Sequence, residues 1–434
     1  MKLIVLFLLS PVLAFSQNWT LDNCIDTALQ NNLILKSGQI RSQIASVNLK
    51  TSKSNLLPSL NAGVVHGYNW GQTIDLFTNQ FATDRVMFDN FYLSSSVTLF
   101  SGLQNYYTIK ASNISVQESV LEEEIFQRNV KIDVSAAFLQ VLLNKEILES
   151  SKENLEKTKQ QHARMQELVL AHQATQFDLL EIDAQYHMDN YTITKATNDL
   201  HYAKLLLQQL LNSSISDSFE VVASSDSYRN DSLTHLLLSD TAILTLPEIV
   251  KIELGIQKQL YLLKSIKGRY YPTILLSGSA GSGYSENNKM LTSTGDYVSR
   301  PFGEQFNTNL YQSVAFTLSI PIFNKNATRN QIKIQELELQ SLYINKQNEY
   351  NQLKQKIEQL STDILNTSSQ LEALEKVYSS ALLNYENFEV RYETGNTTYT
   401  QLIEAKNKLF QAESALIQTK YQLLFKQTIL GFYY

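Results

Sequence analysis

Two hydrophobic periodicities alternate along the chain. From Leu60 to Trp70 the even positions are Leu60, Ala62, Val64, His66, Tyr68 and Trp70, mostly apolar or aromatic, while the odd ones are Asn61, Gly63, Val65, Gly67 and Asn69. Side chains along a strand point to opposite faces in turn, so a period of two predicts a strand with one greasy side. From Phe91 to Phe100 the pattern recurs, with Phe91, Leu93, Val97 and Leu99 against Tyr92, Ser94, Ser96 and Thr98. Further on, Ile274, Leu276, Ala280 and Tyr284 oppose Leu275, Ser277, Ser279, Gly281 and Gly283. Lastly, Leu310, Val314, Phe316, Leu318 and Ile320 oppose Tyr311, Ser313, Ala315, Thr317 and Ser319. The predicted strands are 60–70, 91–100, 273–284 and 310–320.

After each pair of strands the period becomes seven. Val134, Val141, Leu148 and Leu155 form one ladder, and 223 residues later stand Ile357, Ile364, Leu371 and Tyr378. A second ladder, Leu179, Tyr186, Ile193, Leu200 and Leu207, has the counterpart Leu402, Leu409, Leu416, Leu423 and Leu430 under the same shift. Sustained sevenfold spacing keeps an apolar seam against a partner only if helices supercoil, so these are coiled-coil seams that carry architecture and not chemistry. Each copy predicts a long helix and a returning one, hairpins over 104–211 and 326–431. The outgoing helix, with its rise of 1.5 Å per residue, spans on the order of 100 Å. Gly395, in Tyr392-Glu-Thr-Gly-Asn-Thr-Thr, marks one turn by closing a helix in the left-handed conformation. The equivalent position in the first copy is His172.

The predicted organisation is a signal peptide (1–16), a first repeat (17–211), a connector with a small equatorial belt (212–246) and a second repeat (247–434). Both repeats open with a helix. Pro58, Pro272, Pro321 and Gly102 stand at the helix–strand junctions, where a helix must stop. The polar strand-linking segments 71–90 and 285–309 read as loops facing outward.

The first 16 residues decide what the alternating strands are for. Lys2 precedes an apolar run from Leu3 to Leu9, and Ala14-Phe15-Ser16 offers small residues at the two positions a signal peptidase reads. A half-buried soluble sheet shows the same alternation, but on an exported chain about ten residues with apolar outside, polar inside and aromatics near the ends fit an outer-membrane barrel. Four strands cannot close one, because an open edge in lipid leaves backbone groups unsatisfied. The chain must therefore oligomerise, and the barrel argument alone permits two, three or four copies. No later segment has the 18 uncharged apolar residues that a membrane helix needs.

Composition narrows the choice. The chain has 14 Gly and 6 Pro, and neither occurs between Gly102 and Pro247, which disfavours loop-rich and many-stranded globular classes. With 36 basic against 42 acidic residues, there is no electrostatic footprint for nucleic acid. The single Cys24 reads as a small helix residue, and the six histidines, His66, His162, His172, His187, His201 and His235, form no HExxH or compact cluster. Gly278-Ser-Ala-Gly-Ser-Gly lacks the Lys-Ser/Thr ending of a phosphate loop and sits in an alternating strand. No enzyme, cofactor or metal site is predicted.

Several segments resemble the TolC-like outer-membrane efflux factor family: Leu21-Asp-Asn-Cys-Ile-Asp-Thr-Ala-Leu-Gln-Asn-Asn, the strand starts Leu56-Leu-Pro-Ser-Leu and Tyr270-Tyr-Pro-Thr-Ile, and Tyr392-Glu-Thr-Gly with Gln401-Leu-Ile-Glu-Ala. The resemblance covers essentially the whole mature chain. It implies a mainly α fold with a membrane β part: a helical tunnel of antiparallel coiled coils, and four strands per chain in a shared 12-stranded barrel of a homotrimer. It further implies an outer-membrane channel of a Gram-negative bacterium, in contact with outer-membrane lipid, extending into the periplasm. Such a channel passively takes substrates from an inner-membrane pump through a periplasmic adaptor, in efflux or type I secretion. The rival reading is a periplasmic coiled-coil scaffold without channel activity.

In this family the periplasmic tip is closed by an Asp six positions after the turn glycine and a Tyr three positions before it. Counting from His172 gives Asp178, and counting from Gly395 gives Tyr392 and Gln401, so the second copy departs from the acidic pattern. A gating Arg two positions after the glycine in some members is Thr397 here. Three copies of Asp178 on a narrow axis would favour cations. Equally, Asp178 is placed to cap the returning helix. Glu181 and Glu404 read as solvated. His172, Gln173, Ala174, Gly395, Asn396 and Thr397 are, by resemblance, the adaptor contacts.

Overall fold

The computed structural model describes residues 18–75, 77–82, 85–212, 219–222 and 239–434. The predicted export signal (1–16), His235 and most of the predicted connector lie outside them. Nine helices and four long strands carry the described architecture: α1 (Leu21–Asn31), α2 (Leu33–Ser54), β1 (Ser59–Asn69), β2 (Val86–Ser101), α3 (Gln104–Leu170), α4 (Gln176–Leu211), α5 (Asp240–Leu244), α6 (Pro247–Lys267), β3 (Thr273–Ser285), α7 (Phe302–Thr308), β4 (Tyr311–Ser319), α8 (Ala327–Glu393) and α9 (Tyr399–Gly431). α3 and α8 have 67 residues each. Among the described residues no helix is long and apolar enough to cross a membrane.

The chain forms two compact units, and each draws on both halves of the sequence: one from the residues up to Ile40 with Leu121–Val250 and Asn348–Tyr434, the other from Arg41–Val120 and Lys251–Gln347. The two copies of the design are thus interleaved within each unit rather than strung one after the other.

In the second unit the four long strands form one antiparallel sheet in the order β4-β3-β2-β1. Register brings the four alternating patterns into agreement. Val314 lies opposite Gly278, Phe316 opposite Leu276, Leu93 opposite both Ala280 and Ala62, and Phe91 opposite Val64. The apolar sets of all four strands therefore share one face, and Ser94, Ser96, Ser277, Ser279 and Ser313 share the other. A slip of one residue in any strand would have mixed them. The register shift between Thr98 and Phe100 leaves Leu99 out of the pairing and gives its place opposite Ile274 to Phe100, as a bulge does. Among the described residues both outer strands, β1 and β4, have a bare edge.

Two segments read as loops contain regular structure among their described residues. Val86–Asn90 extends β2, pairing with Val65–Asn69, and the polar Asp89 is accommodated because its Oδ1 meets His66 Nδ1 at 2.6 Å across the strands. Within 285–309 there is a short hairpin (Lys289–Leu291 with Tyr297–Ser299) and α7. Phe302 and Phe306, four residues apart on α7, both pack edge-on against Phe91, with ring centroids at 5.7 Å. The buried Gln305 side chain accepts from the Ser285 N–H (3.0 Å) and donates to the carbonyls of Ser285 (3.1 Å) and Arg300 (2.9 Å).

The junctions from strand to long helix repeat down to the backbone. Gly102 and Leu103 both take left-handed φ values of 62° and 63°, and 223 residues on Lys325 and Asn326 do the same at 56° and 61°. Gly102 is obligatory in a second sense, since a Cβ there would lie 2.1 Å from the carbonyl oxygen of Gly268.

The first unit is a packed set of helices. Cys24, Ala28 and Leu35 of α1 and α2 are buried against Val134, Phe138 and Val141 of α3 and Ala203, Leu207 and Leu211 of α4. Burial pushes the Cys24 thiol up to about 12, so it is neither nucleophile nor ready target for thiol reagents. A second cluster joins Ile243, Leu246 and Ile249 to Leu353, Ile357, Ile364 and Leu430. The ladder Val134, Val141, Leu148 and Leu155 is buried throughout. On α4, however, the deepest seam is Ile182, Asp189, Ala196 and Ala203, three residues out of step with the ladder of large side chains. Under the 223-residue shift its counterpart is Ala405, Ala412 and Thr419, also buried. Alanine and threonine hold five of these seven positions, and that is why a search for large apolar side chains passes over them.

Candidate functional site: the paired helical turns

Both helical hairpins reverse by one backbone design. His172, at φ 58°, follows α3; its N–H bonds the Val169 carbonyl (3.0 Å) while the Gln173 N–H bonds that of Leu168 (2.8 Å). Gly395, at φ 74°, follows α8, with Gly395 N–H on Tyr392 (3.1 Å) and Asn396 N–H on Arg391 (2.8 Å). Each is a Schellman closure, which satisfies carbonyls that the ended helix leaves over. A Cβ in the left-handed region is unfavourable by about 1 kcal/mol, so His172→Gly is expected to slow amide exchange at the first turn about fivefold, read by hydrogen–deuterium exchange. Unchanged or faster exchange would show that the His172 side chain contributes more than its backbone conformation costs.

Three residues further, each returning helix starts with a capping box. The Thr175 hydroxyl accepts from the Asp178 N–H (3.2 Å), and Asp178 Oδ2 accepts from the Thr175 N–H (2.9 Å) and hydroxyl (2.6 Å). In the second copy Thr398 Oγ1 accepts from the Gln401 N–H (3.4 Å), and Gln401 Oε1 accepts from the Thr398 N–H (3.5 Å) and the Thr397 hydroxyl (2.5 Å). Asp and Gln thus occupy equivalent capping positions, because the box needs an acceptor there and not a charge. The bonds from Thr175 hold the Asp178 carboxyl below its ordinary range.

The two turns are packed together through aromatic and aliphatic side chains. Met165, Ile182, Tyr399 and Ile403 form a buried cluster against which Ala174, Leu179 and Tyr392 rest. The Tyr392 ring lies 5.8 Å from that of Tyr399, and the Arg164 guanidinium stands 6.0 Å over it. Burial raises the Tyr392 phenol above its usual range. Arg164 also faces Glu393 at 3.5 Å, so the cation beside Tyr392 comes from α3 and not from position 397, where Thr397 stands. His172, Gln173, Gly395 and Asn396 are exposed, Ala174 and Thr397 half-buried. Glu181 accepts from the Thr400 hydroxyl (3.1 Å), a tie between the hairpins.

Sequence reasoning missed the most buried charge among the described residues. Lys406 of α9 is 2 % exposed; its Nζ meets Asp189 Oδ2 of α4 at 3.0 Å and also the Thr158 hydroxyl of α3. Thr158 donates to the same carboxylate oxygen, and Gln185 Nε2 donates to Asp189 Oδ1 at 2.7 Å. Desolvation lowers the Lys406 ammonium from its ordinary range, opposed by the Asp189 charge. The only sequence signal was indirect: Asp189 and Ala196 share a sevenfold stripe in which one member is charged.

No group of three metal-binding side chains is gathered among the described residues. Long helical hairpins with matched turns, and a four-stranded sheet with one apolar face whose two outer strands have no further partner among the described residues, define a channel-forming outer-membrane protein. A family model described as outer membrane efflux protein matches residues 24–213 and 238–430. The cation efflux system protein CusC of Escherichia coli (strain K12) is 20 % identical over 406 residues, covering 92 % of this chain and 82 % of that one. Among solved structures, the Campylobacter jejuni CmeC outer membrane channel superposes with a TM-score of 0.80 at 17 % identity, over 95 % of this chain and 85 % of that one. The open-state Neisseria gonorrhoeae MtrE outer membrane channel does so with a TM-score of 0.75 at 17 % identity, over 95 % and 88 %. The chain belongs to the outer membrane efflux protein family, and it is an outer-membrane channel of an efflux system.

Proposed function

We propose that the channel is a homotrimer in which three four-stranded sheets close one 12-stranded barrel, and that it passes cargo received from an inner-membrane pump through a periplasmic adaptor. The observation that carries this reading is the sheet: the apolar sets of all four strands share one face, while β1 and β4 end in bare edges. An open edge in lipid is prohibitive, so copies pair β1 to β4. The exposed turn residues His172, Gln173, Gly395 and Asn396, with Ala174 and Thr397, are the surface offered to the adaptor. Asp178 has two duties, capping α4 and contributing negative charge near the tip, where Arg164 stands over the Tyr392 ring. The CusC relative carries cation efflux in its name; Asp178 gives the present chain a means of favouring cations too. Asp178→Asn keeps an acceptor for Thr175 and removes the charge. Purified trimers in planar bilayers are expected to show discrete conductance steps with cation preference, weakened in Asp178→Asn at an unchanged number of chains by native mass spectrometry. A chain that is monomeric and soluble without detergent would overturn the reading in favour of a non-conducting scaffold.

A further inference from the structure

Across the polar face of the sheet, one row of four residues alternates strictly between tyrosine and glycine. Tyr311 of β4 is in register with Gly281 of β3, Gly281 with Tyr92 of β2, and Tyr92 with Gly63 of β1. The rings do not stand away from the sheet as strand side chains usually do. A Cβ built on Gly63 would lie 2.5 Å from both Cζ and Oη of Tyr92, so the phenol lies flat across the glycine. Tyr311 lies over Gly281 in the same way, with its Oη 2.6 Å from the corresponding point, and Phe88 covers Gly67 at 2.9 Å. Each glycine is the recess that receives a neighbour's ring.

On the barrel reading above, this face is the inner wall, and three copies place three Tyr92 and three Tyr311 rings at one level of the bore. We propose that the Tyr92–Gly63 pair sets the width of the barrel: the glycine lets the ring lie against the wall, and the ring's posture decides how large a solute passes. The two pairs differ in one useful respect. Around Gly63 the three atoms nearest a methyl group all belong to the far end of the Tyr92 side chain, so Gly63→Ala can be accommodated by lifting the ring into the lumen. Around Gly281 the backbone oxygen of Phe91 is also within 2.7 Å, so a methyl there would strain the sheet itself. Gly63 is therefore the position at which bore can be altered without altering the fold.

The test uses Ser277→Cys, on the inner face and four residues from Gly281 toward the helical end of β3. Cys24 is the chain's one native thiol, and its burial keeps it silent. Maleimide–polyethylene glycol reagents of graded mass are added outside intact cells, and the largest that labels position 277 is recorded. Tyr92→Ala is expected to admit larger reagents than the parent, Gly63→Ala to exclude sizes the parent admits, and the double variant Gly63→Ala/Tyr92→Ala to match Tyr92→Ala. Equal cut-offs in all four chains, with the smallest maleimide labelling each, would overturn the proposal while leaving the barrel intact. No labelling by any reagent in the parent would overturn the inner-wall reading and the proposal with it. If Gly63→Ala fails to assemble, Tyr92→Ala alone decides the question by whether its cut-off rises.

Discussion

Asp189→Ala is expected to destabilise the helical part of the channel by about 3–5 kcal/mol, because it leaves the Lys406 ammonium buried with only the Thr158 hydroxyl for company. Lys406 and Asp189 are 2 % and 5 % exposed at the side chain, so water cannot take the carboxylate's place without opening the contact between α4 and α9. Lys406→Met/Asp189→Leu should recover most of the loss. Thr158 keeps its bond to the Asn154 carbonyl (3.0 Å) and Gln185 Oε1 keeps the bond it accepts from Asn407 (3.2 Å), so the one donor outside the pair that loses its partner is Nε2 of the half-buried Gln185. The deficit of Asp189→Ala also has a predictable pH dependence. A lysine whose ammonium is disfavoured in the folded state binds fewer protons there than when unfolded, so stability rises with pH. The single variant should therefore approach the parent as pH climbs toward the ordinary lysine range of about 10.4. Thermal unfolding of the detergent-solubilised channel at neutral and alkaline pH measures both effects. Melting of Asp189→Ala like the parent's would mean that Lys406 reaches solvent and that the pair joins nothing.

That pair also marks where reading the sequence stops. The strands were legible because the period of two survives on both faces, and the turns because Gly395 and the 223-residue shift point to His172, although histidine is no usual helix terminator. Lys406 was not legible. Its partners are 217 and 248 residues away, and under the shift it aligns with Asp183, so the repeat does not announce it. The same shift explains Gln401 better than a count of charges does. Read as a gate, it is a missing carboxylate; read as the third residue of a capping box, it performs the work of Asp178 with a neutral acceptor. α7 escaped notice because Phe302 and Phe306 make a helix face only once Phe91 is there to receive it.

The largest effect is expected at the lipid face. Val314, mid-way along β4 and 76 % exposed, stands with Phe316 and Leu318 on the apolar side of an outer strand. Val314→Arg places a guanidinium toward hydrocarbon, at about 2–4 kcal/mol per chain near the bilayer midplane. In a trimer that becomes on the order of 6–12 kcal/mol for each barrel, comparable with the whole margin that keeps a folded protein folded. Ala315→Arg is the control: one residue along, it projects from the opposite face, beside Ser277, where an aqueous lumen accepts a charge. Outer-membrane fractions should therefore contain Ala315→Arg at parental amounts and little or no Val314→Arg, whose chains would remain unassembled in the periplasm. The reverse outcome would invert the sheet, and equal recovery of both would mean that β4 does not border lipid at all. Because the two substitutions share size, charge and strand, and differ by a single step of the pleat, their contrast isolates the face that the alternation of β4 assigns to the membrane.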